Sequence, residues 1–257
     1  MHIIESLSRV DRFFGKAGLT IGNFDGFHRG HREIVDRLVR ESKKRGCYSA
    51  LITFRQHPMK VLGMDEPTAL TVPSEKIRMF KKAGVDLLLF VDFTPGLGHM
   101  EPAPFLSLME EILNPRFFCL GRGFRFGREN TGDIYFLQAN ADRTGFDLIT
   151  VDEVLYGGIP VSSTRIRKCI ADGDLESAER MLGRAYGFFF TIGKNGLKAV
   201  PLYQNPALPG KGVYRGELTD LSTGNRGGGK IRIENGEAWI EDGRVLPDRA
   251  YRFGFSG

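Results

Sequence analysis

The chain has 257 residues, of which 41% are hydrophobic, 11% aromatic and 26% charged. These globular proportions exclude a peptide, a disordered chain and a fibrous repeat, and they supply enough apolar side chain for a sizeable core. Lys and Arg outnumber Asp and Glu by 36 to 31, a net charge of +5, but they are scattered instead of forming a tract, so the charge suits small polyphosphate ligands and gives no support for a nucleic-acid partner.

From residue 19 to about 184, strand-like and helix-like segments alternate, the pattern of a parallel sheet wrapped by helices. A first strand is expected at 19–21. A helix at 29–45 has Ile34, Val35, Leu38 and Val39 on one face and stops at Gly46, a residue suited to the left-handed cap. A strand follows at 48–54. Ser74 caps a helix running towards Gly84, with Ile77 and Phe80 inward, and the apolar run 86–91 suits a strand covered on both faces. Phe105, Leu108, Met109 and Ile112 mark a third helix. Then come a strand at 116–120, a helix at 134–141, a strand at 146–151 and helices at 164–170 and 174–182. After Tyr186 the pattern changes to short β-like runs at 188–192, 212–218, 230–233 and 238–240, separated by Gly, Asn, Pro and Asp turns. The glycine-rich stretch 224–229 reads as a mobile loop. Two domains are therefore expected, an α/β domain over residues 1–185 and a small β domain over 186–257 at the lower size limit for independent stability.

Cys47, Cys119 and Cys169 are odd in number, far apart and set in apolar stretches, as buried thiols of a reducing compartment would be. No apolar run approaches the ~20 residues needed to span a bilayer, and residues 1–18 lack the apolar core and cleavage site of a signal peptide. A cytoplasmic location without a membrane partner is expected.

The most informative stretch is Thr20-Ile21-Gly22-Asn23-Phe24-Asp25-Gly26-Phe27-His28-Arg29-Gly30-His31. A strand ends, glycines fold the backbone back, and two histidines three positions apart open a helix on one face. Helix N-termini attract phosphate through free N–H groups and the dipole, and two imidazoles add donors that follow phosphate oxygens through a reaction. The alternatives are two partly exposed helix-start residues, or a zinc site of Asp25, His28, His31 and His57; the latter ranks lower because no cysteines pair at metal spacing. Further on, Ser162, Ser163 and Thr164 precede an apolar-periodic stretch as helix caps do, with Arg167 in the first turn, an arrangement suited either to phosphate or to an ordinary capped helix with a solvated Arg.

The first motif resembles the HxGH-bearing nucleotidyltransferase superfamily. Residues 21–26 before His28, then Thr53-Phe54 with His57-Pro58, narrow this to a resemblance to prokaryotic FAD synthetase, the family joining FMN adenylyltransferase to riboflavin kinase. The run from Gly121 to Gly127, containing Phe124, Arg125 and Phe126, with Gly132-Asp133, resembles that family's flavin-side loop, and residues 161–167 resemble its second nucleotide-binding motif. The resemblance implies a Rossmann-like parallel-sheet nucleotidyltransferase domain followed by a β-barrel-like domain, and a reaction of ATP with FMN giving FAD and pyrophosphate, with Mg²⁺ bridging phosphates. His28, His31 and Arg167 would be catalytic. Gly22, Asn23, Phe24, Asp25, Gly30, His57, Gly121, Phe124, Arg125, Phe126, Ser162, Ser163 and Thr164 would bind the ligands. No residue is assigned to a metal. The chain departs from the family pattern at Gly123, where Asp or Asn is expected, and after Tyr186, where the Pro-Thr-Ala-Asn segment that binds the metal and phosphate of ATP is missing. The C-terminal domain accordingly reads as a shortened, kinase-inactive barrel. The runners-up are a nucleotidyltransferase for another phosphorylated acceptor and a catalytically inactive flavin- or nucleotide-binding regulator.

Overall fold

Alternation of apolar residues along the strands sorts the side chains of this protein onto two faces of a sheet, and the helices cover both. The computed structural model describes residues 1–7, 10, 16–193, 197–247 and 249–256; part of the N-terminal stretch 1–18 read for a signal peptide lies outside them. Two compact units emerge. The first comprises Met1–Phe24, Gly30–Pro67 and Ile77–Val154, the second Asp25–Arg29, Thr68–Lys76 and Leu155–Gly257.

Up to residue 154 the elements are β1 (His2–Ile4), β2 (Ala17–Ile21), α1 (Arg29–Arg45), β3 (Tyr48–Phe54), α2 (Pro58–Val61), α3 (Pro73–Ala83), β4 (Leu87–Val91), α4 (Pro95–Gly98), α5 (Pro102–Leu113), β5 (Pro115–Gly121), β6 (Arg125–Phe126), β7 (Gly132–Asp133), α6 (Ile134–Thr144) and β8 (Asp147–Val151). Six of the strands form one sheet in the order β1-β4-β3-β2-β5-β8, with every pairing parallel. On one face Leu19, Ala50, Ile52, Leu89, Phe118 and Leu120 pack with Phe105, Leu106 and Met109 of α5 and Leu137 and Ala141 of α6. On the other, Leu38 of α1 meets Phe117 and Cys119. Residues one apart in a strand therefore serve opposite layers, and each fully buried Leu or Phe contributes roughly 1.5–3 kcal/mol. The chain adds β3 and β4 on one side of β2, then returns to place β5 on the other. That reversal opens a crevice outside the carboxyl ends of β2 and β5, the usual ligand position in such sheets.

Beyond residue 154 come β9 (Leu155–Tyr156), β10 (Ile159–Pro160), α7 (Ser163–Ala171), α8 (Leu175–Leu182), β11 (Gly187–Ile192), β12 (Lys198–Pro201), β13 (Gly212–Asp220), β14 (Arg226–Glu234), β15 (Glu237–Asp242) and β16 (Ala250–Phe255). The last six close an antiparallel barrel in the order β11-β12-β15-β14-β13-β16. Phe188, Phe190, Ile231, Ile233, Ile240, Tyr251 and Phe253 fill its interior. Asn235 and Gly236, both at positive φ (53° and 72°), make the two-residue turn between β14 and β15.

Two expectations are corrected. The stretch 224–229 is not a loop throughout: β14 begins at Arg226, and Gly227, Gly228 and Gly229 pair with Leu218, Glu217 and Gly216 of β13. Ladder hydrogen bonds use backbone alone, so a strand without side chains still pairs. Of the cysteines, all free, Cys119 is buried but Cys47 and Cys169 are only half-buried. Among the described residues no helix is long and apolar enough to cross a membrane.

Candidate active site

The segment after β2 is held in an unusual backbone path. Gly22 N–H donates to Ile52 O at 3.1 Å and Asn23 O accepts Thr53 Oγ1 at 3.1 Å. Phe24, Gly26 and Phe27 then take positive φ (48°, 82° and 38°). Left-handed backbone is costly for a side-chain-bearing residue and persists only where the surroundings fix it. Burial does so here: Phe24 and Phe27 are almost wholly enclosed, and the Phe24 ring stands edge-on to His31 at 5.2 Å and to Phe80 at 5.9 Å. Any side chain at Gly26 would be strained, since its φ is positive and an added Cβ would lie 2.9 Å from Leu70 Cδ1. Gly30 and His31 lie in the first turn of α1, where N–H groups lack intrahelical acceptors.

In the first unit, Gly22, Asn23, Phe124, Arg125 and Phe126 line a single cavity of about 680 Å³, walled also by Phe54, Phe93 and Phe105 and bordered by His99 and Arg128. Phe124 stacks on Phe126 at 5.5 Å with 19° between the rings, and Phe54 meets Phe93 edge-on at 5.0 Å. Such a volume with aromatic walls suits a flat polycyclic ligand. Arg125 bonds Asp133 at 2.7 Å, and the other oxygen of Asp133 caps α6 at Phe136 N, 2.9 Å away, so the loop after β5 is anchored at both ends. Gly121 closes β5 just before it. His57 accepts the Met59 N–H through Nδ1 at 3.3 Å and thus caps α2, whose Pro58 borders the cavity.

The second unit gathers the charges. Asp25 is buried, accepts the Leu70 N–H on both oxygens (3.2 and 3.1 Å), and pairs with Arg167 Nη2 at 2.7 Å. Arg167 Nε also donates to Thr68 O at 2.6 Å. Ser162 caps α7 at Arg165 N (3.2 Å), Ser163 Oγ donates to Asp25 O at 2.8 Å, and Thr164 follows in the first turn. Of the sequence-assigned phosphate holders, Ser163 and Arg167 are thus engaged in tying α7 to the Asp25 loop. His28, buried beside them, has its pKa pushed down to about 4, chiefly by burial and further by Arg184 and Arg167, so its imidazole is neutral at pH 7. Among the described residues no group of three or more His, Cys, Asp or Glu is placed to hold a metal.

Sequence reasoning overlooked Lys76. It stands in the first turns of α3, almost fully buried, and burial pushes its ammonium down to about 8 against the opposing pull of Asp25. A lysine three and four positions before Met79 and Phe80, on the apolar stripe of its helix, is the signal that marks it. Phe54, Phe93, Phe105 and His99 were also missed as cavity residues; they are scattered in sequence and only the fold collects them.

A family model described as FAD synthetase matches residues 12–165. The chain belongs to the FAD synthetase family. The bifunctional riboflavin kinase/FMN adenylyltransferase of Escherichia coli (strain K12) is 36% identical over 170 residues, 65% of this chain and 54% of the relative. That of Haemophilus influenzae is 30% identical over 191 residues, 74% of this chain and 62% of the relative. The chain thus spans little more than half the length of the curated relatives it matches. A crystal structure of a macrolide-efflux protein from Streptococcus pneumoniae superposes with a TM-score of 0.84 at 20% identity, covering 99% of this chain and 89% of the other. This likeness shows that the fold is shared from end to end, FAD synthetase domain and barrel together.

Proposed function

We propose that this FAD synthetase family member transfers the adenylyl group of ATP to FMN, giving FAD and pyrophosphate, and does not phosphorylate riboflavin. The observation that carries the reading is the aromatic cavity of about 680 Å³ bounded by Gly22, Asn23 and the Phe124–Phe126 loop, which fits an isoalloxazine better than the smaller or aliphatic acceptors of other nucleotidyltransferases.

An FMN phosphate oxygen attacks the α-phosphorus of ATP. The new P–O bond forms as the bond to the β-phosphate oxygen breaks, and the electron pair leaves with pyrophosphate. The nucleophile is ionised at neutral pH, so the protein needs no strong base; its tasks are alignment and charge stabilisation. His28, neutral at pH 7, and His31 donate hydrogen bonds to phosphate oxygens. Arg167 and the N-terminus of α7, capped by Ser162, stabilise charge on the leaving pyrophosphate. Asp25 organises the loop. Mg²⁺ would come with ATP as part of the substrate and would offset charge on its phosphates. In this reading residues 1–185 carry the transfer chemistry and 186–257 form the kinase-inactive barrel of a cytoplasmic enzyme whose partners are small molecules, not nucleic acid or membrane. Incubating the purified chain with Mg²⁺-ATP and FMN and separating the flavins tests it: FAD formation supports the assignment, and turnover of another phosphorylated acceptor in its place overturns it.

A further inference from the structure

Two arginines line the aromatic cavity, and they are not equally engaged. Arg125 donates to Asp133 at 2.7 Å. Arg128 lies 3.6 Å from Glu101 and 3.7 Å from Glu129, ion-pair distances beyond hydrogen-bond reach, so its fork of N–H donors is not spent on either carboxylate. Its backbone, in contrast, is fixed on both sides. The N–H donates to Met100 O at 2.8 Å, and the carbonyl accepts the Thr131 N–H at 3.1 Å and Thr131 Oγ1 at 2.8 Å. The next two residues, Glu129 and Asn130, both take left-handed backbone (φ 53° and 59°). Asn tolerates that region, whereas Glu there is strained and persists because the surrounding bonds hold the turn. A strained turn thus keeps Arg128 at the rim of the cavity, and the bond to Met100 sets the adjoining His99, which lines the same space, on the same stretch of rim.

Apart from Asn23 beside the HxGH turn, the polar part of the wall is this stretch, Arg128 to Asn130 with His99, while Phe54, Phe93, Phe105, Phe124 and Phe126 make much of the remainder apolar. An isoalloxazine has the matching asymmetry: its pyrimidine edge carries two carbonyl oxygens flanking an N–H, and its opposite edge carries two methyl groups. Resting on the adenylyl-transfer reading, we infer that Arg128 is a specificity-determining residue for the flavin: its guanidinium donates to a carbonyl oxygen of the pyrimidine edge and so fixes which edge of the ring faces the 128–130 turn. Stacking against phenyl rings accepts a flat ring either way round, whereas a charged donor does not. A site built to bond a polar group of its substrate discriminates against an analogue that lacks it.

The test uses the full chain and follows flavin binding by visible difference absorption. In 2-thio-FMN and 4-thio-FMN one carbonyl oxygen or the other is replaced by sulfur, a much weaker acceptor. The wild type is expected to bind one of the two about tenfold more weakly than FMN, the effect of losing one charge-assisted hydrogen bond. Arg128→Met keeps much of the side chain's length and removes its donors. It is expected to weaken FMN about tenfold and to bind all three flavins within about twofold of one another, with Mg²⁺-ATP affinity held within about twofold of the wild type. Equal binding of the three flavins by the wild type overturns the inference without recourse to any variant. So does undiminished FMN binding by Arg128→Met, discrimination that survives in it, or a parallel loss of Mg²⁺-ATP binding that marks a structural role. If the discrimination runs through Arg128 but no FAD forms from FMN, the proposed function fails and the assignment of Arg128 stands. If FAD forms while the three flavins bind alike, the assignment alone fails, and if no flavin binds, both fall.

Discussion

Asp25 and Arg167, 142 positions apart in sequence, meet at 2.7 Å with side-chain exposures of 9% and 14%. This pair and the bonds from Arg167 to Thr68 O and from Ser163 to Asp25 O tie the Asp25 loop, the segment at Thr68 and the start of α7 together. A residue given a phosphate role by its motif is thus also a structural one, and the two roles have separable consequences.

Arg167→Ala leaves the Asp25 carboxylate buried without its partner, a change that costs about 3–5 kcal/mol. The expected result is a clear drop in the denaturant midpoint together with weakened ATP binding. FMN affinity is expected to hold, because the aromatic cavity is built from other residues. An unchanged midpoint would contradict the structural part, and collapse of FMN binding with ATP binding intact would reverse the ligand placement.

His28 makes stability depend on pH. Its folded value of about 4 lies below the ordinary 6.5, so above pH 6.5 the imidazole is neutral in folded and unfolded chains alike. Between 6.5 and 4 the unfolded chain binds a proton that the folded chain refuses. Stability from this group therefore falls as the pH drops through that window, by roughly 3 kcal/mol in all, and levels off below it. His28→Asn is expected to flatten this part of the stability profile in urea titrations at successive pH values; an identical profile in the variant would show that the imidazole is not held neutral. In the reaction, His28→Ala and His31→Ala are each expected to lower adenylyl transfer about 10²-fold, and turnover near that of the wild type would remove the corresponding histidine from the mechanism.

Local signals carried much of this architecture. Val35, Leu38 and Val39 recur at helical spacing and Gly46 stops the helix, so α1 was legible with its bounds, as was the apolar run that became β4. What escaped lacked a local period. β1 is three residues long, β9 and β10 are two each, and the glycines of β14 carry no side chains from which to read a face. The site divided in the same way. The HxGH run and the Ser162 cap are contiguous and readable, whereas the Asp25–Arg167 pair and the cavity walls of Phe54, Phe93 and Phe105 exist only once distant segments meet. Lys76 was visible as a breach of the apolar stripe, but the charge that acts on it was not.

Gly123 borders the aromatic cavity, an added Cβ there would meet nothing within 4 Å, and its φ lies outside the left-handed range. Gly123→Asn is therefore free of steric and backbone penalty and restores the hydrogen-bonding side chain that the family resemblance leads one to expect. Tighter FMN binding is the expected outcome, by the 0.5–1.5 kcal/mol typical of one net hydrogen bond, or about two- to tenfold in Kd. Loss of affinity in a variant with an unchanged unfolding midpoint would show that the loop accepts flavin by other contacts.

Riboflavin phosphorylation is expected to be absent. Moving a phosphoryl group onto an un-ionised hydroxyl requires a base and a second ATP site, and β12, Lys198–Pro201, together with the residues around it, contains no Pro-Thr-Ala-Asn. The barrel's acidic candidates are occupied at its surface: Glu217 pairs with Arg226, Glu234 with Lys211 and Arg232, Glu237 with Lys198, and Glu241 with Arg232. Lys211 and Arg232 hold the Glu234 carboxyl below its ordinary value, the opposite of what a base poised near neutrality needs. Incubation with riboflavin, Mg²⁺ and ATP, followed by separation of the flavins, checks this. Unconverted riboflavin alongside FAD made only when FMN is supplied is the expected pattern, and catalytic accumulation of FMN would show that the barrel houses a phosphoryl-transfer site of a different construction.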